Sequence, residues 1–195
     1  MRIILASGSP RRKELLGKLI EKFDIITSDF DEDIIKQTEK NPEELVKKLS
    51  LEKANDILSK LELKENFVII AADTVVCIND EILGKPTDKN DAIQMLEKLS
   101  NNIHSVLTGM TVIINKNGII NKETVYSKST IYFNKLNENE IIDYINTSEP
   151  LDKAGSYAIQ GIGNKFIEKY DGNYDSIVGL DTKQLKDIFE KYEVL

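Results

Sequence analysis

The stretch that decides the fold is FVIIAADTVVCI, from Phe67 to Ile78. It is almost continuously apolar and rich in valine and isoleucine, which is typical of a strand buried on both faces. We therefore expect a central strand here, with Asp73 as its one charged residue. A buried carboxylate is costly unless it is paired or bound to a metal. Asp73 thus predicts a neighbouring cation and a catalytic or metal-binding role, the alternative being a strand-end carboxylate that caps a turn.

Before this strand, the chain predicts a strand-loop-helix opening. Residues 2–6 are a short apolar strand, and Ser9 and Pro10 are typical of the cap and first position of a helix. Residues 23–27 predict a second strand. The acidic, aperiodic segment 29–40 predicts a solvated surface loop, one of whose carboxylates could join Asp73.

A long helix follows, and it brings a lysine to its apolar face. Asn41-Pro42-Glu43-Glu44 predicts a capping box with proline at the first helical position. Apolar residues then recur at helical spacing as far as Leu61. The rotation of about 100° per residue places Lys53 between Leu49 and Ile57, so that it points inward. The alternative is a lysine whose stem covers the core while its ammonium reaches water.

The second half of the chain predicts alternating elements. Asn79-Asp80 predicts a turn into a short strand 81–83, and Thr87 or Asp88 caps the helix that follows. Strands 103–115 and 119–133 form a predicted β-hairpin. Two later helices begin at Asn137 with Glu140 and at Asp181 with Gln184. The alternation of strands and helices, together with the long hairpin, predicts an α/β fold with a mixed sheet.

The first helix predicts an anion site. Ser7-Gly8-Ser9 leads into a helix N-terminus, where free N–H groups and a partial positive charge favour phosphate. Arg11 and Arg12 oppose the helix dipole in this first turn, and a bound anion would remove that penalty. The alternative is surface charge alone.

Weaker candidates lie further along the chain. Lys85, in a Gly-Lys-Pro turn, is unremarkable by itself, and glycines at 155, 161 and 163 bracket Gln160, whose amide could read a base edge. The alternative is that these glycines only allow the backbone to turn within a loop. His104 is the only histidine, and we expect a structural role for it.

Composition excludes several classes of protein. The 195 residues suit one domain, and no apolar run approaches the roughly 18 residues of a membrane span or resembles a signal peptide. The net charge of −7 argues against non-specific nucleic-acid binding. With one cysteine, Cys77, and one histidine, any metal must be a hard cation held by oxygens.

Taken together, ASGSPRRKELL (6–16), ADTVV (72–76), GKP (84–86), HSVLTG (104–109) and EPLDKAGSYAIQG (149–161) resemble the Maf family of nucleoside triphosphate pyrophosphatases, also called septum formation inhibitors. The resemblance implies an elongated mixed β-sheet flanked by helices, related to inosine triphosphate pyrophosphatases, in one domain (1–195) with a cleft between two lobes. It also implies a cytoplasmic hydrolase that needs a divalent cation, Mg or Mn, and splits its substrate between the α and β phosphates. Whether the chain forms a homodimer stays open.

The resemblance also implies roles for single residues. Asp73 would accept the proton of the attacking water and bind metal with Glu32. Ser7, Arg12, Lys53 and Lys85 would bind the phosphates.

Three further positions imply the substrate. Arg11, Thr74 and Gln160 match the dTTP/UTP branch, whereas the 7-methyl-GTP branch carries Trp, Gln and Glu there. Modified pyrimidine nucleotides remain open as substrates. Two rivals are a non-catalytic nucleotide-binding regulator of cell division and a pyrophosphatase for damaged purine nucleotides, although these three residues argue against the latter. The chain departs from the family at Asp181, where proline is usual, and we expect little consequence because aspartate caps helices well.

Overall fold

A computed structural model describes residues 1–147 and 149–194; Ser148 and Leu195 lie outside the described residues. The strands are β1 (Arg2–Leu5), β2 (Asp24–Ile25), β3 (Phe67–Ile78), β4 (Glu81–Leu83), β5 (Ile103–Lys116), β6 (Ile119–Phe133) and β7 (Ile167–Asp171). The helices are α1 (Pro10–Gly17), α2 (Asp33–Thr38), α3 (Pro42–Ser59), α4 (Lys89–Leu99), α5 (Glu138–Ile145), α6 (Tyr174–Val178) and α7 (Thr182–Lys191). Among the described helices, none has the length and apolar character that a bilayer crossing requires.

The strands form one mixed sheet in the order β2-β1-β3-β5-β6-β7, with β4 also paired to β3. Strand β1 is parallel to β2 and β3, whereas β4 is antiparallel to β3, and β7 is antiparallel to β6. The predicted α/β class and mixed sheet are therefore confirmed. Strand β3 has the predicted limits, lies in the interior of the sheet, and is buried along almost its whole length.

The chain divides into two compact units by its internal contacts. The first comprises Met1–Asp73, Thr108–Ser127 and Gly179–Leu195, and the second comprises Thr74–Leu107 and Lys128–Val178. One core cluster of the first unit is aliphatic apart from Phe67. Its buried members are Ile4, Ala6, Ala54, Ile57, Phe67, Ile69, Ala71 and Ile113.

The predicted helix starts are confirmed by their caps. Ser9 accepts a hydrogen bond from the backbone N–H of Arg12, and Asp88, rather than Thr87, caps α4. Asn137 and Glu140 form a reciprocal capping box at α5. Asp181 accepts from the backbone N–H of Gln184 at 3.0 Å, so an aspartate at this position does cap the last helix.

Three sequence expectations are wrong in part. Segment 29–40 is not entirely loop, because α2 forms within it; a salt bridge between Glu32 and Lys36, one helical turn apart, supports that short helix. The cap of α3 lacks the reciprocal half of a capping box: Asn41 accepts from the helix N-terminus, but its own N–H donates to Glu39 at 2.9 Å, and Glu44 pairs with Lys47 instead. Strand β2 is only two residues long.

The second unit contains a cluster of packed aromatic rings that includes His104. His104 is 3% exposed, its Nε2 lies 2.7 Å from the Tyr157 hydroxyl, and its ring packs edge-on against Phe133 and Tyr157. Its Nδ1 has no hydrogen-bond partner among the described residues. Burial lowers the pKa of His104 to about 4. The imidazole is therefore neutral at pH 7, as expected for a structural histidine.

This burial predicts acid sensitivity. As the pH falls from 6.5 to 4, the unfolded chain binds a proton at His104 that the folded chain does not, so stability falls by up to about 3 kcal/mol. We expect the His104→Gln variant to lose this component of the pH dependence, although it is less stable at pH 7. Urea unfolding of both proteins at pH 4 to 7 measures it. Equal slopes of unfolding free energy against pH would contradict the assignment.

Candidate active site

In the first unit, Asp73 belongs to a series of ion pairs in which carboxylates and ammonium groups alternate. The Lys53 ammonium lies 2.6 Å from Asp73 Oδ1 and 2.7 Å from Glu32 Oε1, and Glu32 Oε2 lies 2.5 Å from Lys36 Nζ. Asp73 and Lys53 side chains are each only 12% exposed. The predictions that Asp73 is buried against a cation and that Lys53 points inward are therefore confirmed.

Two close contacts between helix α3 and strand β5 place Lys53 next to Asp73. Val46, Ser50 and Lys53 share one helix face because they are four and three residues apart. The Val46 backbone lies against Gly109, and Ser50 Oγ lies 3.0 Å from Thr111 Oγ1 in a buried hydrogen bond. These contacts fix the helix on the sheet, so that Lys53, one turn further on, meets the carboxylate.

Glu32 is held ionised by two ammonium groups. Burial alone would raise its pKa, but hydrogen bonds and charge from Lys36 and Lys53 outweigh this effect and lower the pKa to about 2. The sequence singled out Glu32 and Lys53 but missed Lys36. The spacing of Glu32 and Lys36 was the available signal, yet it carries meaning only once this segment is helical.

The first turn of α1 adds more positive charge. Arg12 donates to the Gly179 carbonyl at 2.8 Å and to Ser7 Oγ at 3.3 Å, while Ser7 Oγ also accepts from the Ser9 N–H at 3.2 Å. Burial lowers the pKa of Arg12, and Asp73 opposes that shift, so the guanidinium stays charged. Arg11 lies close enough to disfavour the charge of Arg12. The structure thus places Ser7 and both arginines in the same unit as Asp73.

Positive charge exceeds negative charge in this cluster. Arg11, Arg12, Lys36 and Lys53 supply four cations, and Glu32, Asp33 and Asp73 supply three carboxylates; each of these groups acts electrostatically on another. The surplus is local, because the whole chain carries a net charge of −7. Such a cluster can stabilise a polyanion.

Lys85, Thr74 and Gln160 lie in the second unit. Lys85 is exposed, and the adjacent Gly84 carbonyl accepts from the Gly155 N–H at 3.0 Å, which joins two of the segments singled out in the sequence. Thr74 and Gln160 are half-buried. The roles of these residues stay predictions.

Comparison with known proteins identifies the family. A family model described as Maf-like protein matches residues 2–192. A dTTP/UTP pyrophosphatase of Clostridium botulinum (strain Alaska E43 / Type E3) is 48% identical over 98% of this chain and 99% of its own length. A dTTP/UTP pyrophosphatase of Thermoanaerobacter sp. (strain X514) is 41% identical over 98% and 96%, and one of Clostridium tetani is 44% identical over 95% and 94%.

A solved nucleoside-triphosphatase / dITP/XTP pyrophosphatase from Mycobacterium abscessus matches 68% of this chain and 73% of that one, with a TM-score of 0.41 and 12% identity. That similarity is too low to bear on fold or function. The family model spans nearly the whole chain, and the relatives cover it from end to end at more than 40% identity. The chain therefore belongs to the family of Maf-like proteins.

Proposed function

We propose that this protein is a nucleoside triphosphate pyrophosphatase, or nucleotide diphosphatase, that hydrolyses dTTP and UTP to the monophosphate and diphosphate. Relatives at 41–48% identity carry the name dTTP/UTP pyrophosphatase, which supports this activity. In the same proposal, residues 1–195 act as one domain, the protein works in the cytoplasm, and it binds neither nucleic acid nor membrane.

The observation that carries the proposal is the surplus of cations around Asp73. A nucleoside triphosphate brings about four negative charges, and a protein of net charge −7 can bind it only through concentrated local positive charge. Arg11, Arg12 and Lys53 provide that charge beside the buried carboxylate, and Ser7 adds a hydroxyl. Lys85 would add another cation to the phosphates.

The chemistry assigned to Asp73 is that of a general base. Its carboxylate takes a proton from water as the water oxygen bonds to the α-phosphorus in line with the departing bridging oxygen. The Pα–O bond to the β-phosphate breaks, and that oxygen leaves with its electron pair as part of diphosphate. Lys53 orients the Asp73 carboxylate through their ion pair at 2.6 Å, and Arg12 neutralises charge on the phosphates.

Glu32 and Asp73 would hold the divalent cation. Their oxygens converge on one ammonium, within 2.7 Å of Lys53 Nζ, so this point already accommodates positive charge between two carboxylates. Within residues 1–147 and 149–194 no three His, Cys, Asp or Glu side chains form a metal cage. Two carboxylates suit a hard divalent cation such as Mg or Mn, which would supply positive charge to neutralise the phosphate oxygens.

Lys36 competes with a cation for Glu32, and this gives a prediction. We expect Lys36→Gln to tighten Mn²⁺ binding about fivefold in the absence of nucleotide. The substitution removes a positive charge that repels the cation, an interaction worth about 1 kcal/mol between charges about 4 Å apart in water. Isothermal titration calorimetry or the electron paramagnetic resonance of free Mn²⁺ measures it. Lys36→Arg keeps the charge and is the matched control. Unchanged or weaker binding in Lys36→Gln would contradict the prediction.

Arg11, Thr74 and Gln160 are proposed to select the base. Gln160 would hydrogen-bond a pyrimidine edge, and a wrong base that leaves its amide unpaired loses about 1–3 kcal/mol. Purified protein incubated with dTTP, UTP, CTP, GTP and 7-methyl-GTP, with Mg or Mn, tests the proposal when the released phosphate species are separated. We expect diphosphate as the released product, and faster hydrolysis of dTTP and UTP than of the other nucleotides. Binding without turnover would instead support a nucleotide-binding regulator, and orthophosphate as first product would exclude this reaction.

A further inference from the structure

The Glu149 carboxylate accepts hydrogen bonds from three donors in the second unit. Its Oε1 accepts from the Tyr144 hydroxyl at 2.9 Å and from the Gly163 N–H at 3.1 Å, and its Oε2 accepts from the Ile162 N–H at 3.1 Å. The Tyr144 hydroxyl is itself hydrogen-bonded to the backbone of Ala158. One carboxylate thus joins helix α5 to the segment 158–163.

The backbone of this segment is shaped to admit the carboxylate. Gly161 has φ +129° and ψ −156°, a region open only to glycine. A Cβ there would lie 2.7 Å from Glu149 Oε2, and a Cβ at Gly163 would lie 2.7 Å from the Tyr144 hydroxyl. The absence of a side chain at these two glycines therefore allows the close contact with Glu149 and Tyr144.

The tyrosine in this contact lies in the core. Tyr144 is fully buried and packs edge-on against Phe166, with ring centroids 4.9 Å apart. Burial would raise the pKa of Glu149, but the backbone N–H groups of residues 162 and 163 and the tyrosine hydroxyl outweigh it and lower the pKa, so the carboxylate is charged at neutral pH. Charge-assisted hydrogen bonds are stronger than neutral ones. Residues 162 and 163 are thus held by charge-assisted hydrogen bonds to a carboxylate that a buried tyrosine also binds.

We propose that Glu149 is a positioning residue for substrate selection: it fixes segment 160–163 so that Gln160, the residue immediately before Gly161, presents its amide to the base. The inference rests on the proposed function and deepens it. Glu149 touches neither phosphate nor water in this role. It affects base selection through Gln160 and has no effect on the charge cluster around Asp73.

The test compares Glu149→Gln with the unaltered protein in steady-state hydrolysis of UTP and GTP. The amide has one acceptor oxygen for three donors, so segment 160–163 loosens. We expect kcat/KM for UTP to fall about tenfold, mainly through KM, and kcat/KM for GTP to change less than twofold. Tyr144→Phe removes one donor only and should shift the UTP to GTP ratio in the same direction by a smaller factor.

Controls separate positioning from stability. Glu138→Gln, an exposed carboxylate in the first turn of α5, should leave the ratio unchanged. On a Gln160→Ala background, Glu149→Gln should have no further effect on the ratio, because the group that it positions is gone. Amide hydrogen exchange at residues 162 and 163 should accelerate in Glu149→Gln.

The outcomes distinguish this inference from the proposed function. An active protein in which Glu149→Gln lowers UTP and GTP turnover equally, or lowers only the melting temperature, overturns the positioning role and leaves the pyrophosphatase activity standing. A protein that hydrolyses no nucleotide overturns both. A lower UTP to GTP ratio that disappears on the Gln160→Ala background supports the inference.

Discussion

Replacing Asp73 with asparagine is expected to lower kcat for diphosphate release by about 10³-fold, a typical loss for removal of a positioned general base. An amide has nearly the shape of the carboxylate but cannot accept the proton of the attacking water. Steady-state kinetics with UTP and Mg measures the loss. Retention of more than a tenth of the activity would contradict the role assigned to Asp73.

The fold should survive this substitution. Lys53 keeps Glu32 as an ion-pair partner at 2.7 Å, so its ammonium is not left without a counter-charge. Circular dichroism and urea unfolding should therefore stay close to those of the unaltered protein. Asp80→Asn is the matched control, because Asp80 lies exposed in the β3–β4 turn with φ +64°, which asparagine tolerates. Its activity should not change.

Gly109→Ala is expected to destabilise the protein by at least about 3 kcal/mol. A Cβ at this buried position would lie 2.2 Å from the Val46 carbonyl oxygen and 2.9 Å from the Lys47 nitrogen. Both atoms are backbone of α3, so the helix itself must move away from β5. Urea unfolding measures the loss, and a low yield of soluble protein would agree with it.

The same substitution should disturb the site, because α3 carries Lys53. A displaced helix lengthens the contact between Lys53 and Asp73, so any folded Gly109→Ala protein should also lose activity. Gly17→Ala is the matched control: Gly17 ends α1, nothing lies within 4 Å of an added Cβ, and alanine favours helix. Stability of Gly109→Ala equal to that of Gly17→Ala would contradict the close packing of α3 on β5.

Local patterns in the sequence predicted most of the elements, since each depends on neighbouring residues. The uninterrupted apolar run gave strand β3, and the side-chain caps at Ser9, Asn137 and Asp181 gave three helix starts. Helix α2 was missed because it buries none of its residues and so has no apolar face for the sequence pattern to reveal. The two-residue strand β2 was overestimated, because pairing with β1 alone decides its length.

At the site, the sequence by itself determined which charged residues lie among apolar neighbours. A carboxylate amid apolar strand residues and a lysine on an apolar helix face each demanded a partner, and Asp73 and Lys53 prove to be partners of one another. Their need for compensation follows from the cost of burying a charge, which composition and periodicity reveal.

Only the tertiary structure decided which groups meet. Three contacts join parts of the chain in ways that spacing alone does not show: the pairing of Lys53 with Glu32, the packing of Gly109 against α3, and the hydrogen bonds of Glu149 to the backbone of residues 162 and 163. Hydrogen bonds and van der Waals contacts act over a few ångströms, so they depend on how helices and strands pack. Sequence periodicity specifies the face that a residue occupies, whereas packing specifies what lies opposite that face.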